Sequence, residues 1–509
     1  PISMKLYIGG KNADKIYYGK PIIADQVNNR QHYMYPNEAR LKNMTYAFPI
    51  YYDVDVELTY IDNEDNINEV EKTVEKMYLG SFPLMIQSNL CLLKGLNSEL
   101  KYNLGECKDD KGGYFIIDGK EKAIVSQETR ANNVLYVLED RSDDFLFSSE
   151  IKSVSEDASK PVRTLSIKMV APKPSSTNLQ IVVNIPNVRK PVPLFILMRA
   201  LGLESDKEII SACMLDLEKY KDVIEYFRPS VHDAGLVFTQ SAALKYIGSL
   251  TKRQTVSYAL VILMDFLLPH MGETNFREKA LYIGYMVKRL ILVYTKAEKP
   301  TNRDKYNYKR IEVTGQLLYQ LFSEYYNLQI KHIFKSIDTR YYFHPSEYTN
   351  GKFLDLVLNK QNETFGNRIT EEGFRKAFKG NWGAQAHTKR PGVVQDLNRL
   401  SFFSFVSQLR KTNLHISSDG AKVVAPRLLN TTQWGLLCPL HSPDGGNVGL
   451  HKHLSTSTHI TSGSLMAPIV DYLLHPYMEI NKLNECSFEF LKYASKVFVN
   501  GTWIGCTNN

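Results

Sequence analysis

The chain has 509 residues, of which 43% are hydrophobic and 23% are charged. This composition is typical of globular proteins and excludes a disordered chain, and the length exceeds what one hydrophobic core supports, which predicts about three domains. The formal net charge of +8 is modest for this length, so its meaning depends on where the charges lie.

Short strand-like runs separated by turn signals begin the chain and predict an α+β domain over the first 150 residues. The clearest unit is a β-hairpin from Gly112 to Val125, in which two β-rich runs meet at Asp118-Gly119. The following segment, Arg141 to Lys160, is charged and rich in serine. We interpret this segment as a loop or a crossing between domains.

Strands are predicted at residues 164–170 and 180–184, after which the chain becomes helical. The apolar spacing from Val192 to Leu201 predicts a helix that ends at Gly202. Further helical segments are predicted at residues 208–220, 242–250, 256–268 and 278–295. Together these segments predict a largely helical insert over residues 190–296.

A polar run interrupts this pattern, and residues 313–335 are again amphipathic, which indicates a return to the first domain. All of the excess positive charge lies later, between Gly373 and Ile460. This basic segment has 11 lysines and arginines against three aspartates, a difference of +8, whereas the remaining 51 basic and 51 acidic residues cancel. A polyanion is the natural partner of such a segment, although a solvated surface would also explain it.

Residues 393–412 follow Pro391-Gly392 and contain no glycine or proline, so we predict one continuous helix there. Arg399 and Arg410 are 11 residues apart. At about 100° per residue they would lie within about 20° of each other on one face, with Gln395 one turn earlier. Guanidinium groups suit phosphates because their planar fork can donate two hydrogen bonds. The helix would therefore point cations at a nucleic-acid backbone.

The segment after this helix is rich in turn-forming residues. Ser417-Ser418-Asp419-Gly420 predicts the tip of a mobile hairpin loop. Residues 441–450 contain three glycines and a proline, which permit tight turns and a close approach of the backbone to a ligand. Trp382 and Trp434 could stack on bases, but we predict that both are buried in a core.

Histidine and cysteine patterns give little sign of a metal site. Six of the twelve histidines lie in the basic segment, yet His451 and His453 have no cysteine or carboxylate nearby in the sequence that would complete a metal site. The six cysteines are far apart, so we expect reduced thiols.

Targeting signals and chain ends bear on location. The N-terminus has no signal sequence, and the longest apolar run, Ala259 to Leu268, is short and interrupted by Asp265. We therefore predict a soluble, intracellular protein. Because the chain opens at Pro1 rather than Met and stops at Asn509 just past a hairpin-like run with an Asn-Gly turn, we expect a fragment.

Several short motifs occur in a fixed order along the basic segment. They are Asn381-Trp382-Gly383, Gly392-Val393-Val394-Gln395, Leu397-Asn398-Arg399, Leu409-Arg410-Lys411-Thr412-Asn413, Pro426-Arg427, Trp434-Gly435-Leu436 and Cys438-Pro439. This series resembles the fork region of the second-largest, beta-type subunit of multisubunit DNA-dependent RNA polymerases. Tyr35 to Arg40 and the hairpin from Gly112 to Glu128 are similar to the protrusion of that family, and Ile185 to Gly202 is similar to its lobe.

The resemblance covers nearly the whole chain and implies a multidomain α+β fold with mixed sheets and a largely helical insert. The implied domains are the protrusion at residues 1–150 and 301–372, the lobe at 151–300, the fork at 373–450 and the start of the external region at 451–509.

The resemblance also implies which residues meet nucleic acid, since the family's fork flanks the RNA:DNA hybrid and the downstream DNA. The implied nucleic-acid contacts are Gln395, Arg399, Arg410, Lys411, Arg427 and Asn447. Asp444 would support the active centre, and a fork loop containing Ser418, Asp419, Gly420 and Lys422 would face the downstream DNA. The chain departs from the family at His441, which replaces the first carboxylate of a Glu-Thr-Pro-Glu-Gly motif.

The implied activity is template-directed RNA synthesis, in which Mg²⁺ ions clamp the attacking and leaving oxygens. The family holds these ions mainly in its largest subunit. We therefore expect no catalytic residue and no bound metal in this chain, which would be inactive alone. The expected partners are the largest and the smaller polymerase subunits, the DNA template, the RNA transcript and nucleoside triphosphates, with no membrane.

Two other functions stay open at this point: a non-catalytic basic nucleic-acid-binding protein, and a structural protein whose charge is incidental. Copurification with a larger, aspartate-rich chain would separate them. The spelling of the motifs is closer to eukaryotic, archaeal and large-DNA-virus forms than to bacterial ones. We predict an origin in a large nucleocytoplasmic DNA virus, with the host cytoplasm or the virion as location, or the nucleus if the protein is cellular and eukaryotic.

Overall fold

The computed structural model describes residues 2–24, 31–61, 67–140, 142–157, 160–173, 179–348, 350–416 and 423–508. The chain is organised as two compact units: unit 1 comprises residues 1–129, 311–429 and 433–458, and unit 2 comprises residues 130–310, 430–432 and 459–509. Each unit combines sheets with helices, which confirms the multidomain α+β fold class. The division into protrusion, lobe, fork and external region stays a prediction.

The strands, in chain order, are β1 (Ile2–Ile8), β2 (Ile16–Tyr18), β3 (Ile22–Ala24), β4 (Gln31–Tyr33), β5 (Ala47–Ile61), β6 (Ile67–Pro83), β7 (Phe115–Ile117), β8 (Lys120–Ile124), β9 (Ser126–Arg130), β10 (Leu135–Glu139), β11 (Phe145–Ser153), β12 (Arg163–Val170), β13 (Ile181–Asn184), β14 (Val192–Pro193), β15 (Lys309–Glu312), β16 (Val394–Asp396), β17 (Lys411–Asn413), β18 (His451–His453), β19 (Asn481–Lys482), β20 (Ser495–Val499) and β21 (Thr502–Thr507).

The α-helices are α1 (Pro36–Leu41), α2 (Ser98–Asn103), α3 (Leu194–Ala200), α4 (Asp206–Met214), α5 (Lys221–Ile224), α6 (Arg228–Asp233), α7 (Gln240–Ser249), α8 (Val256–Val261), α9 (Phe276–Tyr294), α10 (Thr314–Phe343), α11 (Asp355–Leu358), α12 (Gln361–Phe365), α13 (Ile369–Phe378), α14 (Phe402–Leu409), α15 (Ala467–Leu473) and α16 (Phe488–Tyr493). None of these helices has the length and apolar character that crossing a bilayer requires, as far as the described residues extend.

Unit 1 is built on the long antiparallel pair β5 and β6, with β1 and β2 also paired to β5. Alternate residues of β5, Val54, Val56 and Leu58, are buried because successive side chains of a strand point to opposite faces. They share a hydrophobic core with Leu317 and Leu321 of α10 and with residues of α13. The predicted return to the first domain after the helical insert is confirmed by α10.

The predicted hairpin in unit 1 is confirmed as β7 and β8, which pair from Phe115↔Lys122 to Ile117↔Lys120. Asp118 and Gly119 at the turn both have positive φ, +49° and +78°. Two consecutive left-handed residues define the turn that matches the twist of the flanking strands, and Asp-Gly is a preferred sequence for it.

The prediction of one helix over residues 393–412 is wrong. Residues 394–396 form β16, which pairs with β8, and the carbonyl of Val393 accepts a hydrogen bond from the Val125 N–H at 2.9 Å. Helix α14 begins only after Ser401, whose side chain and that of Ser404 form a capping box, and it ends before Arg410. Pairing with the confirmed hairpin therefore outweighs the helical propensity of the first half of this segment.

Unit 2 contains a sheet in the order β10-β11-β12-β13-β14, and β12 and β13 confirm the two strands predicted there. The helices α3 to α9 form the predicted helical insert, and α9 is buried along most of its length. Two predicted helices end early. The helix predicted at residues 208–220 ends at Met214 because Leu215 has a φ of +61°. The helix predicted at residues 256–268 continues after Val261 only as a π-helical turn, Ile262–Phe266.

The interpretation of residues 141–160 as a loop is wrong, because β11 lies inside this segment and pairs with β10 and β12. Two buried serines of β11 have hydrogen-bond partners: the Ser149 hydroxyl donates to the Met286 carbonyl at 3.3 Å, and Ser153 Oγ lies 2.7 Å from His270 Nδ1. Partners supplied by distant segments make these polar residues compatible with a sheet interior.

The second predicted hairpin, with its Asn-Gly turn, is also confirmed. Strands β20 and β21 pair as neighbours, and Asn500 and Gly501 between them have φ values of +48° and +82°. This hairpin belongs to the core of unit 2 through Trp503, which is 2% exposed.

Candidate nucleic-acid interface

The chemistry of the basic segment centres on two short strands of unit 1. Strand β17 pairs antiparallel with β18, which places Lys411 opposite His453 and Thr412 opposite Lys452, and it runs parallel to β9. Because strand side chains alternate, β18 points Lys452 to one face and His451 and His453 to the other. Lys452 is buried and forms an ion pair of 2.8 Å with the buried Glu128, which neutralises its charge within unit 1.

Arg410 and Lys411 lie at the junction between α14 and β17. The Arg410 guanidinium donates to the carbonyls of Ser455 at 2.5 Å and Thr456 at 3.4 Å, which fixes the loop that follows β18. Lys411 is half-buried, and burial lowers the pKa of its ammonium group. Among the described residues, no carboxylate forms an ion pair with Lys411. Its positive charge is thus held near the surface without a protein anion.

His453, which lies opposite this lysine, contacts another histidine. The imidazole rings of His441 and His453 stack with 3.5 Å between centroids and an angle of 1° between planes. Burial, followed by the proximity of His441 and of Lys411, lowers the pKa of His453 to about 4. Burial and Lys411 also lower the pKa of His451. His453 is therefore neutral at physiological pH, and its Nδ1 lies 3.2 Å from the Ser407 hydroxyl.

Arg399 lies apart from Arg410, in the extended stretch before α14, so the predicted common helix face does not exist. Its guanidinium contacts Glu121 at 2.9 Å and Asp110 at 3.3 Å. Glu121 also receives a hydrogen bond from Arg40, whose guanidinium pairs with Glu106 at 2.8 Å. The carboxylates in this network outnumber the two arginines. Arg399 is thus committed to ion pairs within unit 1.

Arg427 stabilises the predicted glycine-rich turn at residues 441–450. Its Nη1 donates to the carbonyls of Gly446 at 2.7 Å and Val448 at 3.2 Å. Asp444 and Asn447 are exposed at the two ends of this turn. The structure therefore brings together three of the predicted residues, Arg427, Asp444 and Asn447, at one turn of unit 1.

The remaining predicted residues are dispersed. Gln395 lies on β16 and donates from Nε2 to the Gly392 carbonyl at 3.0 Å. The predicted fork loop, Ser417-Ser418-Asp419-Gly420 with Lys422, lies outside the described residues. The roles of these residues toward nucleic acid stay predictions.

The two tryptophans of unit 1 differ. Trp382 is buried and packs edge-on against Phe378, as predicted. Trp434 is 84% exposed, so its predicted burial is wrong. Gln433 before it and Leu437 after it are buried, whereas Trp434 between them points outward.

Sequence reasoning missed the partners of these cations. The alternation His-Lys-His at 451–453 was a usable sign that Lys452 faces away from the histidines. No local signal could have identified Glu121, Asp110 or Glu128, because they lie more than 250 residues earlier in the chain. Within the described ranges, no three histidine, cysteine or acidic residues are grouped so that they could hold a metal ion.

A multidomain α+β protein with its excess of cations in one segment belongs to the class of proteins that can bind a polyanion. Residues 11–350 match the family described as RNA polymerase beta subunit, and residues 395–460 match RNA polymerase Rpb2, domain 3. The chain belongs to the RNA polymerase beta subunit family.

Several curated relatives are similar over almost the whole chain. The DNA-directed RNA polymerase II subunit RPB2 of Encephalitozoon cuniculi is 37% identical over 96% of this chain, and that of Schizosaccharomyces pombe is 32% identical over 97%. The DNA-directed RNA polymerase subunit Rpo2 of Saccharolobus shibatae is 31% identical over 96%. The chain spans 42%, 41% and 41% of the length of these three relatives, respectively.

Proposed function

We propose that this chain works as part of a DNA-directed RNA polymerase, in which it binds the RNA:DNA hybrid and downstream DNA during template-directed RNA synthesis. Membership of the beta subunit family supports the enzyme class. The observation that carries the nucleic-acid role is the half-buried Lys411, whose ammonium group has no carboxylate partner among the described residues. A partly desolvated cation is stabilised by an anion, and a phosphate would supply one.

The neighbouring groups fit a phosphate contact. His451 and His453 are uncharged near neutral pH because their pKa values are lowered, so they neither repel Lys411 nor attract a second anion. Arg410 holds the loop at Ser455 and thereby limits the positions that Lys411 can adopt. We infer that Lys411 contacts the sugar-phosphate backbone, that Arg410 positions it, and that neither residue reads the base sequence.

The chemical step belongs elsewhere in this proposal. Magnesium ions held mainly by the largest subunit would stabilise the attacking and leaving oxygens when nucleoside triphosphates are joined to the transcript. This chain would contribute positioning and would be inactive alone. Its partners would be the largest subunit, the smaller subunits, the DNA template and the RNA transcript.

The source and location are also part of the proposal. The spelling of the motifs supports an origin in a large nucleocytoplasmic DNA virus, with the host cytoplasm or virion as location. A cellular eukaryotic origin would instead imply the nucleus. Sequencing the DNA that flanks the gene distinguishes the two origins.

The test compares assembled polymerases that differ at one lysine. Lys411→Ala should shorten the lifetime of stalled elongation complexes by about tenfold, equivalent to about 1.4 kcal/mol, without a preference for template sequence. Lys411→Arg should restore most of the lifetime because it keeps the charge. The matched control is Lys376→Ala, an exposed lysine on α13, which should behave as wild type.

Two results would contradict the proposal. Normal transcript retention in an enzyme that carries both Lys411→Ala and Arg410→Ala would remove the nucleic-acid role of this site. Purification of the native protein without a larger, aspartate-rich chain would instead favour a non-catalytic nucleic-acid-binding protein.

A further inference from the structure

A short segment of unit 1 that leads into the glycine-rich turn lies alongside strand β18 and is fixed to it at two points. The Cys438 N–H donates to the His453 carbonyl at 2.9 Å, and the Ser442 hydroxyl donates to the His451 carbonyl at 3.1 Å. His441 lies between these two anchored residues in the sequence. The strand therefore sets the position of its backbone.

The ring of His441 is oriented by the histidine on which it stacks. His453 is half-buried, its Nδ1 lies 3.2 Å from the Ser407 hydroxyl, and the two imidazole rings are parallel with 3.5 Å between their centroids. His441 itself is exposed. Among the described residues, its ring nitrogens have no hydrogen-bond partner. The imidazole is thus held by one face while its edge is open to a ligand.

Lys411 is a neighbour of the same stacked pair. It lies opposite His453 in the pairing of β17 with β18, and residues directly opposite each other on antiparallel strands project to one face with Cβ atoms about 5 Å apart. Because His441 stacks on His453, the side chains of Lys411 and His441 both adjoin one ring. Two hydrogen-bond donors without a carboxylate partner in the described part of the chain are thereby brought into one neighbourhood.

A protein carboxylate or a metal ion would be the alternative partner of the His441 ring. Asp444 is exposed in the same turn, but no ion pair or hydrogen bond joins it to His441 in the described ranges. In the same part of the chain, no three histidine, cysteine or acidic residues are grouped so that they could hold a metal ion. An anion with several acceptor oxygens fits two neighbouring donors better.

We propose that His441 is a phosphate ligand beside Lys411, so that the imidazole edge and the ammonium group bind oxygens of one phosphate group. This inference rests on the proposed function, because it adds a second residue to the Lys411 contact. The imidazole donates through one ring nitrogen when it is neutral and through both when it is protonated. The phosphate belongs to the nucleic-acid backbone or to a nucleoside triphosphate, since both present the same oxygens.

The experiment separates the face of the ring from its edge in the assembled polymerase. His441→Phe retains a flat ring that can stack on His453 but has no ring nitrogen, whereas His441→Ala removes both. We expect the two variants to show the same defect, about fivefold. A shorter lifetime of stalled elongation complexes identifies a backbone phosphate, and a higher KM for nucleoside triphosphates identifies the triphosphate. His387→Phe changes another exposed histidine of unit 1 and should behave as wild type in both measurements.

A double variant tests whether the two residues share one phosphate. Groups that bind the same phosphate are energetically coupled, so Lys411→Ala combined with His441→Phe should lose less than the product of the two single losses. A loss equal to that product overturns the shared site. A defect in His441→Ala that is absent from His441→Phe also overturns it, because stacking alone would then explain the effect.

Failure of this inference is distinguishable from failure of the proposed function. If Lys411→Ala shows its loss while both His441 variants behave as wild type, His441 is not a ligand and the proposed function stands. If none of these variants shows a loss, the proposed function fails together with the inference.

Discussion

Arg399 shows how a surface arginine can be committed to structure rather than to a ligand. Its guanidinium bridges Asp110 and Glu121 and lies 4.8 Å from the ring centroid of Phe405. We predict that Arg399→Ala lowers the free energy of unfolding of unit 1 by about 1 to 2 kcal/mol, because Asp110, which is 7% exposed at its side chain, loses a cation. Denaturant titration measures this change.

The control for Arg399 is Arg375→Ala, an exposed arginine near the end of α13, which should change stability by less than about 0.5 kcal/mol. An unchanged stability in Arg399→Ala, combined with weaker nucleic-acid binding, would instead assign Arg399 to the phosphate contacts that the resemblance implies.

His270 makes the stability of unit 2 depend on pH. It is 7% exposed, and burial, followed by the nearby Lys279, lowers its pKa from 6.5 to about 4. Between about pH 6.5 and pH 4, His270 is protonated in the unfolded chain but stays neutral in the folded protein. The contribution of His270 to the free energy of unfolding is therefore fully present above pH 6.5 and decreases as the pH falls toward 4. The total decrease is about 3 kcal/mol.

The measurement is the pH dependence of the free energy of unfolding in wild type and in His270→Gln, with hydrogen exchange of the amides of unit 2 as the method. The variant should lose most of the decline between pH 6.5 and 4, although it is less stable at pH 7. The exposed His232→Gln leaves His270 in place and should retain the decline. Equal slopes in wild type and His270→Gln would show that other groups cause it.

At the scale of elements, the turn at residues 445–449 depends on a close backbone approach. Gly449 has a φ of +71°, and a Cβ atom there would overlap the backbone of Arg427. We predict that Gly449→Ala destabilises this turn by about 1 to 3 kcal/mol and releases Arg427 from the Gly446 carbonyl. Gly446→Ala is the matched control, because nothing lies within 4 Å of its Cβ position.

Proteolysis or hydrogen exchange of the segment 441–450 measures the effect of both changes. Gly449→Ala should increase the exchange of the Gly449 and Leu450 amides, whose hydrogen bonds to Ser442 Oγ and the Asn447 carbonyl hold the turn. Identical protection in the two alanine variants would mean that the approach of Arg427 is not needed.

The elements that the sequence predicts correctly are those whose signal is local. Two hairpins follow from Asp118-Gly119 and Asn500-Gly501, since the turn residues alone select the conformation. The helix over residues 393–412 fails because its alternative, pairing of β16 with β8, depends on a strand some 270 residues earlier. The capping box at Ser401 and Ser404 was a local signal for the true start of α14.

The contacts in the candidate site likewise depend on residues that are distant in the sequence. The resemblance names Arg427 and the residues of the glycine-rich turn, but the contact between them, like the ion pairs of Arg399 and Lys452, requires tertiary structure. Charge excess identifies a basic segment, but it does not tell which cations are already neutralised.

For the whole molecule, ion pairs neutralise part of the net charge of +8 that the sequence gives the basic segment. Among the described residues, four cations of the segment pair with carboxylates from outside it, all within unit 1: Lys379 with Asp118, Arg390 with Glu312, Arg399 with Glu121 and Lys452 with Glu128. The charge available to a polyanion is thus smaller than the sequence count, and it includes Lys411, which no described carboxylate pairs with.

The salt dependence of nucleic-acid binding tests this reading directly. Each phosphate contact releases counterions, so the slope of log K against log salt concentration counts the cations that touch phosphates. In the assembled polymerase, Lys411→Ala should reduce the magnitude of this slope by about 1. Lys379→Ala removes the same formal charge but only dissolves an exposed pair with Asp118 at 3.2 Å, so its slope should match wild type. Equal reductions in both variants would mean that total charge, rather than the position of Lys411, determines binding.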